Sequence, residues 1–285
     1  MVAHRATNNA PASVLVTGAT GNVGRPLVEQ LLSAGHRVRA LTRDPERAAL
    51  PAETDVIAGN LEDARSLDVA FGGMDAAHVI GFDGAGHSPL DRGEQLVETA
   101  VRKGVRRVTL LRGDPGKTGL ERAVEASELA WTYLAPVEFM SNVLEWADCI
   151  RAEGVVRHGF PDLRSAMVHD ADVASVAATA LTSEGHARQE YWLTGPEALT
   201  APEKVAVLSE VLGRPIRFEE LTRDQIVGQW REQGFSDEDV EFFLHLRTDP
   251  PEAGSTVLPT VEQVTGRPAR TFAQWVAANR AAFGG

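Results

Sequence analysis

The stretch 12-ASVLVTGATGNVGRPLVEQLL-32 decides the fold. Residues 13–17 form a short apolar run rich in β-branched side chains, the pattern of a buried strand. Leu27, Val28 and Leu31 then recur at helical spacing. Between strand and helix lie Gly18, Gly21 and Gly24, spaced GxxGxxG. Gly18 permits a tight turn, Gly21 lets a pyrophosphate approach the backbone, and Gly24 lets the helix pack closely on the strand. The helix start offers unpaired N–H groups and the positive end of the helix dipole. Thr20, Asn22 and Val23 complete the expected cradle. The motif predicts a dinucleotide-binding unit.

The end of the second strand selects the dinucleotide. An acidic residue there suits the ribose of NAD, whereas a cation suits the 2′-phosphate of NADP. The chain reads 38-VRALTRDPERAA-49, with Arg43 nineteen residues beyond Gly24. Asp44 precedes Pro45 and is read as the start of a helix over 45–50. Arg43 is therefore the expected 2′-phosphate contact, and NADP (NADPH) the expected cofactor.

Apolar strands are expected at 13–17, 37–41, 54–58, 75–80, 106–111 and 131–135, separated by helical patterns near 23–34, 45–50, 64–71, 90–103 and 119–129. Alternating strands and helices imply βαβ units and a doubly wound parallel sheet, an α/β Rossmann-like fold. Beyond about residue 135 the rhythm changes. Helices near 139–153, 172–183 and 200–213 and strands at 189–195 and 214–221 precede acidic helical segments to about 247. The expected organisation is a disordered lead-in (1–11), a dinucleotide-binding core (12–155) and a smaller, mainly helical substrate lobe (156–285) with no linker.

The 285 residues, 43% of them apolar, suffice for one large core or a core with a smaller lobe. A net charge of −12 argues against nucleic acid and anionic membranes as partners. No run of 18 apolar residues, no secretory leader and one cysteine, Cys149, lead to the expectation of a soluble, cytoplasmic protein.

Three blocks carry a resemblance: 12–32 with 39-RALTRDPERA-48, 59-GNLEDARSLDVAFGGMDAAHVI-80, and 121-ERAVEASELAWTYLAPVEFMSNVL-144. Shorter matches at 167–181, 192–200, 211–215 and 265–279 extend it over nearly the whole chain. The sequence resembles the NmrA-like, atypical short-chain dehydrogenases. That resemblance implies that Asn60 and Leu61 flank an adenine with Asp63 nearby. It places Gly81 and Phe82 along the ribose and pyrophosphate, and Pro136, Glu138 and Phe139 towards the nicotinamide.

One departure from such enzymes matters chemically. They use a Tyr as proton donor, a Lys four residues on and a Ser that polarises the carbonyl. Here the two tyrosines are Tyr133 and Tyr191, and the residues four further on are Val137 and Gly195. The resemblance places Lys117 and Glu121 where the Tyr and Lys would stand, 112-RGDPG-116 where the Ser would, and Ala135 where an Arg is usual. No catalytic residue is assigned. The reading that follows is an NADPH-dependent reductase whose proton comes from substrate or water. Its acceptor is a carbonyl of an aromatic polyketide-like ketone or a quinone. A ketone beside a phenolic hydroxyl carries its own acid, and some ketoreductases that tailor aromatic polyketides in antibiotic biosynthesis resemble this family and lack the Tyr and Lys. The alternative is a dinucleotide sensor without turnover, as in the family's namesake. Isomerisation or dehydration would need a placed acid–base pair, which the sequence does not show. The expected partner is a small aromatic molecule, and the expected state a monomer or weak homodimer.

Arg112, Lys117, Asp83 and His87 lie at or beyond strand ends and are further candidates to face substrate. The histidines, His158 and His169 among them, have no zinc spacing, so no metal is expected. The run 226–246, with Trp230, Phe235, Phe242, Phe243 and Leu246, reads either as a lid over a planar substrate or as ordinary core.

Overall fold

A computed structural model describes residues 10–82, 90, 92–112, 117–249 and 252–285. Its strands are β1 Ser13–Thr17, β2 Arg37–Thr42, β3 Asp55–Ala58, β4 Ala76–Ile80, β5 Arg107–Leu111, β6 Ala130–Pro136, β7 Val155–His158, β8 Gln189–Leu193 and β9 Arg217–Glu220. Its helices are α1 Gly24–Ser33, α2 Ala64–Ala70, α3 Gly93–Arg102, α4 Gly119–Ala126, α5 Ala147–Glu153, α6 Asp170–Thr182, α7 Ala201–Leu212, α8 Arg223–Glu232, α9 Asp237–Thr248, α10 Thr260–Thr265 and α11 Phe272–Ala278.

Seven strands form one sheet in the order β3-β2-β1-β4-β5-β6-β8, and every pair from β3 to β6 is parallel. β1 is buried along its whole length because helices cover both faces of the sheet. Leu15 belongs to the apolar cluster that includes Leu67 and Phe71 around α2, Leu96 and Val97 of α3, and Leu120 and Val124 of α4. Val14 and Val16, by the two-residue period of a strand, face the other side. α1 buries Leu27, Val28 and Leu31 and is tied to α6 by Gln30, which donates to the Ala171 carbonyl at 3.0 Å and accepts from Ser175 Oγ at 2.9 Å. The strand order reverses between β1 and β4, and such a switch point opens a crevice at the carboxyl ends of the strands.

The chain divides into two compact units, residues 1–136 with 170–192, and residues 137–169 with 193–285. The division thus runs at 136/137 rather than at 155/156, and α6 returns to the first unit. In the second unit β7 and β9 form a separate two-stranded parallel sheet. Its core gathers Trp146, Ile150, Val205, Leu208, Phe272 and Trp275, among others. Thr200 and Glu203 form the reciprocal capping box at the start of α7 that the sequence motif predicts.

Two local expectations are corrected. Residues 45–50 form a turn and loop, not a helix. Arg25 holds that loop by donating to the Ala48 and Ala49 carbonyls, so that a side chain from α1 fixes the backbone there. The stretch 139–153 divides into a 3₁₀ segment, Met140–Trp146, and α5. The aromatic run is a satellite cluster of α8 and α9, in which Trp230, Phe235 and Phe242 surround Phe243 at ring separations of 5.4–5.7 Å.

His78 on β4 is fully buried, and its Nδ1 lies 2.8 Å from Thr109 Oγ1 on the paired strand β5. Burial pushes its pKa down from 6.5 to about 4, so the folded chain holds it neutral. The unfolded chain takes up a proton near pH 6.5, whereas the folded chain takes it up only near pH 4. Stability is therefore complete above pH 6.5 and declines as pH falls through that window. Urea unfolding at pH 7.5 and 4.5 should show wild type losing about 2 kcal/mol more than His78→Gln, which cannot be protonated.

Candidate functional site

The glycine turn brings Gly18, Thr20, Gly21, Asn22, Val23 and Gly24 together at the carboxyl end of β1. Gly18 adopts φ +61°, and a Cβ there would also lie 3.0 Å from Ile80 Cγ2. At Gly24 a Cβ would sit 2.1 Å from the Gly18 carbonyl oxygen and 2.7 Å from Ala19 Cα, so only glycine lets α1 begin directly against the turn. Gly21 is exposed, and its N–H donates to the Gly18 carbonyl at 2.9 Å. α1 carries neither a side-chain N-cap hydrogen bond nor an acidic residue in its first turn. Its first turn therefore places no carboxylate of its own on the positive end of the helix, the arrangement that suits an anion.

Arg43 follows directly on β2 and is exposed. Asp44 is engaged locally: its carboxylate accepts from the Arg47 amide at 3.3 Å and pairs with the Arg47 guanidinium at 3.4 Å. Asn60 is exposed, and its side chain accepts from the Glu62 amide at 3.0 Å. Leu61 is buried in the core and presents only backbone. Asp63 caps α2 by accepting from the Arg65 amide and the Ser66 hydroxyl, which hold its carboxyl below the usual range. Gly81 and Phe82 follow β4, and Pro136 ends β6. Asp83, His87 and 113–116 of the RGDPG segment lie outside the described residues.

Lys117 and Glu121, which stand where the resemblance would place the Tyr and Lys, are both engaged in structural contacts. Lys117 Nζ pairs with Glu125 at 2.9 Å. Glu121 is buried and forms the capping box of α4 with Thr118. It also lies 2.9 Å from Arg112 Nε, an ion pair without hydrogen-bond geometry. Arg112 pairs in addition with Glu190 on β8 at 2.5 Å and lies over the Tyr133 ring, 5.6 Å from its centroid. The Tyr133 hydroxyl donates to the Glu121 carbonyl at 3.1 Å, and burial raises its pKa well above the usual phenol value. The Tyr191 hydroxyl is 2.7 Å from His186 Nδ1, and burial raises its pKa as well. Among the described residues no group of three or more His, Cys, Asp or Glu could hold a metal ion. No helix there is long and apolar enough to cross a membrane.

Glu138 and Phe139 belong to the second unit. Backbone pairing of Glu138 and Met140 with Val168 fixes this segment. The Glu138 carboxylate accepts from Ser165 Oγ and faces Lys204 Nζ at 3.6 Å. Lys204 was not singled out from the sequence, yet a signal was there: α7 buries Ala201, Lys204, Val205 and Leu208, so a lysine occupies the apolar stripe.

Residues 18–113 match the family described as NAD(P)H-binding. The chain is 39% identical over 283 residues to a (4-alkanoyl-5-oxo-2,5-dihydrofuran-3-yl)methyl phosphate reductase of Streptomyces griseus, covering 95% of this chain and 99% of the relative. It is 34% identical over 293 residues to an NAD(P)H azoreductase of Xenophilus azovorans, again covering 95% and 99%. Among solved structures, the NADPH-dependent quinone oxidoreductase of Escherichia coli complexed with NADPH shares the fold with TM-score 0.76 at 23% identity, over 94% of this chain and 99% of that one.

Proposed function

Because this chain belongs to the NmrA-like, NAD(P)H-binding atypical short-chain dehydrogenases and is an NAD(P)H-dependent oxidoreductase, we propose that it uses NADPH to reduce a conjugated carbonyl acceptor. An aromatic polyketide-like ketone and a quinone are members of that class. When bound, the nicotinamide supplies hydride. Gly18 to Gly24 and the start of α1 hold the pyrophosphate, Arg43 contacts the 2′-phosphate, and Gly81 and Phe82 lie along the ribose. Asn60 and the Leu61 backbone flank the adenine, and Pro136 borders the nicotinamide. The protein acts in the cytoplasm on a small molecule, as a monomer or weak homodimer.

The observation that carries the reading is the fate of the two tyrosines. Both hydroxyls are already hydrogen-bonded inside the first unit, and burial makes both weaker acids. Lys117 is held by Glu125 rather than by a tyrosine. A simple ketone would form a localised alkoxide and need a strong protein donor. A quinone or enone-type acceptor does not, because the added electron pair spreads over several atoms and water supplies the proton; an aryl ketone beside a phenolic hydroxyl still forms an alkoxide, but that hydroxyl stabilises and protonates it. The relatives' names fit this class, since an alkanoyl dihydrofuranone, an azo compound and a quinone are all conjugated acceptors. The protein's share of catalysis is then orientation and exclusion of water, which together are worth several kcal/mol.

NADPH oxidation followed at 340 nm should proceed with quinones and peri-hydroxy aryl ketones, and methylation of the peri-hydroxyl should slow the ketone at least tenfold. Tight NADPH binding with no turnover across such a panel would favour a sensor instead. Arg43→Ala should weaken NADPH at least tenfold while changing NADH by less than twofold, because only NADPH carries the extra phosphate. Equal losses would remove the NADP assignment.

A further inference from the structure

Lys204 has no role in the cofactor contacts above, and its surroundings are unusual. Its side chain is only 8% exposed. An ammonium has three donors to place. Among the described residues its recorded partner is Glu138 Oε2 at 3.6 Å, an ion pair longer than a hydrogen bond. Lys204 lines a cavity of about 200 Å³ within the second unit, together with Glu138, Asn142, His158, Ser165 and Arg247. A buried charge with so few partners is costly unless the site has another use for it. Desolvation lowers the Lys204 pKa, so the burial is felt by the ammonium itself.

The lining has a definite polarity. Lys204, Arg247 and Asn142 donate. Glu138 accepts, with its carboxylate held in place by Ser165 Oγ. His158 Nδ1 lies 2.7 Å from the Gly159 carbonyl, which can only accept, so the proton is on Nδ1 and the neutral ring leaves Nε2 as an acceptor. Burial lowers the His158 pKa and keeps the ring neutral. Two cations and the carboxylates Glu138 and Glu145 leave the cavity close to charge balance, which favours a neutral ligand bearing both a donor and an acceptor over a dianion.

The cavity also continues. It shares Trp146, His158, Phe160, Glu145 and Arg247 with a groove of about 490 Å³ lined by Leu221, Ile226 and Trp230. The smaller space exceeds the roughly 150 Å³ known to admit one benzene ring. The groove is of mixed polarity: Leu221, Ile226 and Trp230 give it an apolar wall, and Arg157, Gln229 and Gln233 line it as well, a combination that suits an oxygenated, planar molecule.

We propose that the Lys204–Glu138 cavity is a recognition subsite for a hydroxyl-bearing carbonyl of the substrate, with Lys204 donating to the carbonyl oxygen and Glu138 accepting from the adjacent hydroxyl. This deepens the reductase reading and rests on it. A hydroxyl has a single proton to donate, so on binding the hydroxyl turns that proton from the ketone oxygen to Glu138 and the Lys204 ammonium takes its place at the carbonyl oxygen; the 3.6 Å between the charged atoms of Lys204 and Glu138 lets the pair face two neighbouring oxygens. The rest of the ring system extends towards Ile226 and Trp230. Glu138 is thereby a substrate contact rather than the cofactor contact expected from the sequence.

The test is calorimetric binding of 1,8-dihydroxyanthraquinone and of its dimethyl ether to the full chain, with NADPH affinity and NADPH oxidation measured in parallel. Wild type should bind the dihydroxy compound at least tenfold more tightly than the ether. Lys204→Met should lose at least tenfold for the dihydroxy compound and change NADPH affinity by less than twofold. Glu138→Gln should narrow the gap between the two compounds. The ether comparison in wild type needs no variant, so a poorly folded Lys204→Met does not blunt the test. Equal binding of the two compounds, or Lys204→Met binding within twofold of wild type, would overturn the subsite even if NADPH oxidation continues. Binding with the predicted dependence but without turnover of any acceptor would keep the subsite and remove the reductase reading.

Discussion

The contact on which the first unit depends is the approach of α1 to the turn before it. The Gly24 Cα rests so close to the Gly18 carbonyl that a single methyl group would overlap it at 2.1 Å. That contact sets where the helix begins, and the start of the helix sets where its unpaired amides lie. It also aligns α1 so that Leu27, Val28 and Leu31 seal one face of the sheet. Packing and binding geometry therefore rest on the same three glycines, each needed for its own reason. A side chain at Gly18 would be strained by φ, one at Gly24 would clash, and Gly21 keeps the approach open.

A second theme is that charge is used structurally where a typical short-chain dehydrogenase uses it chemically. Arg112, Glu121, Glu190, Lys117 and Glu125 form ion pairs that tie the end of β5 to α4 and β8 beside the Tyr133 ring of β6. Such partly buried pairs fix side-chain positions more than they add stability. They also consume the groups that would have shuttled a proton. In the proposed reaction the burden of charge stabilisation passes largely to the acceptor.

Much of this was legible in the sequence because it is local. The strands of the large sheet announce themselves as apolar runs between turn residues, and the Thr200–Glu203 capping box is a three-residue signal. What was not legible is nonlocal. Residues 45–50 carry a helical pattern, but Arg25, twenty residues earlier, holds their carbonyls in a loop. The four-residue strand β7 exists only because β9 pairs with it sixty residues on. The boundary at 136/137 and the return of α6 to the first unit follow from packing, which composition along the chain does not record. Lys204 is an intermediate case. Its helix was predicted, and a lysine on that apolar stripe was visible, but the cavity it faces is built from distant segments.

The central claim is hydride delivery from a dinucleotide held at the glycine turn to a conjugated acceptor, without a tyrosine–lysine acid. Its most direct measurement is label transfer. NADPH carrying deuterium at the nicotinamide C4 is incubated with the protein and a conjugated ketone, and the product is analysed by mass spectrometry and NMR. The account predicts one deuterium at the acceptor carbon, from one face of the nicotinamide only. Tight NADPH binding with no deuterium in any acceptor would contradict it and leave a protein that reads the cofactor without spending its hydride.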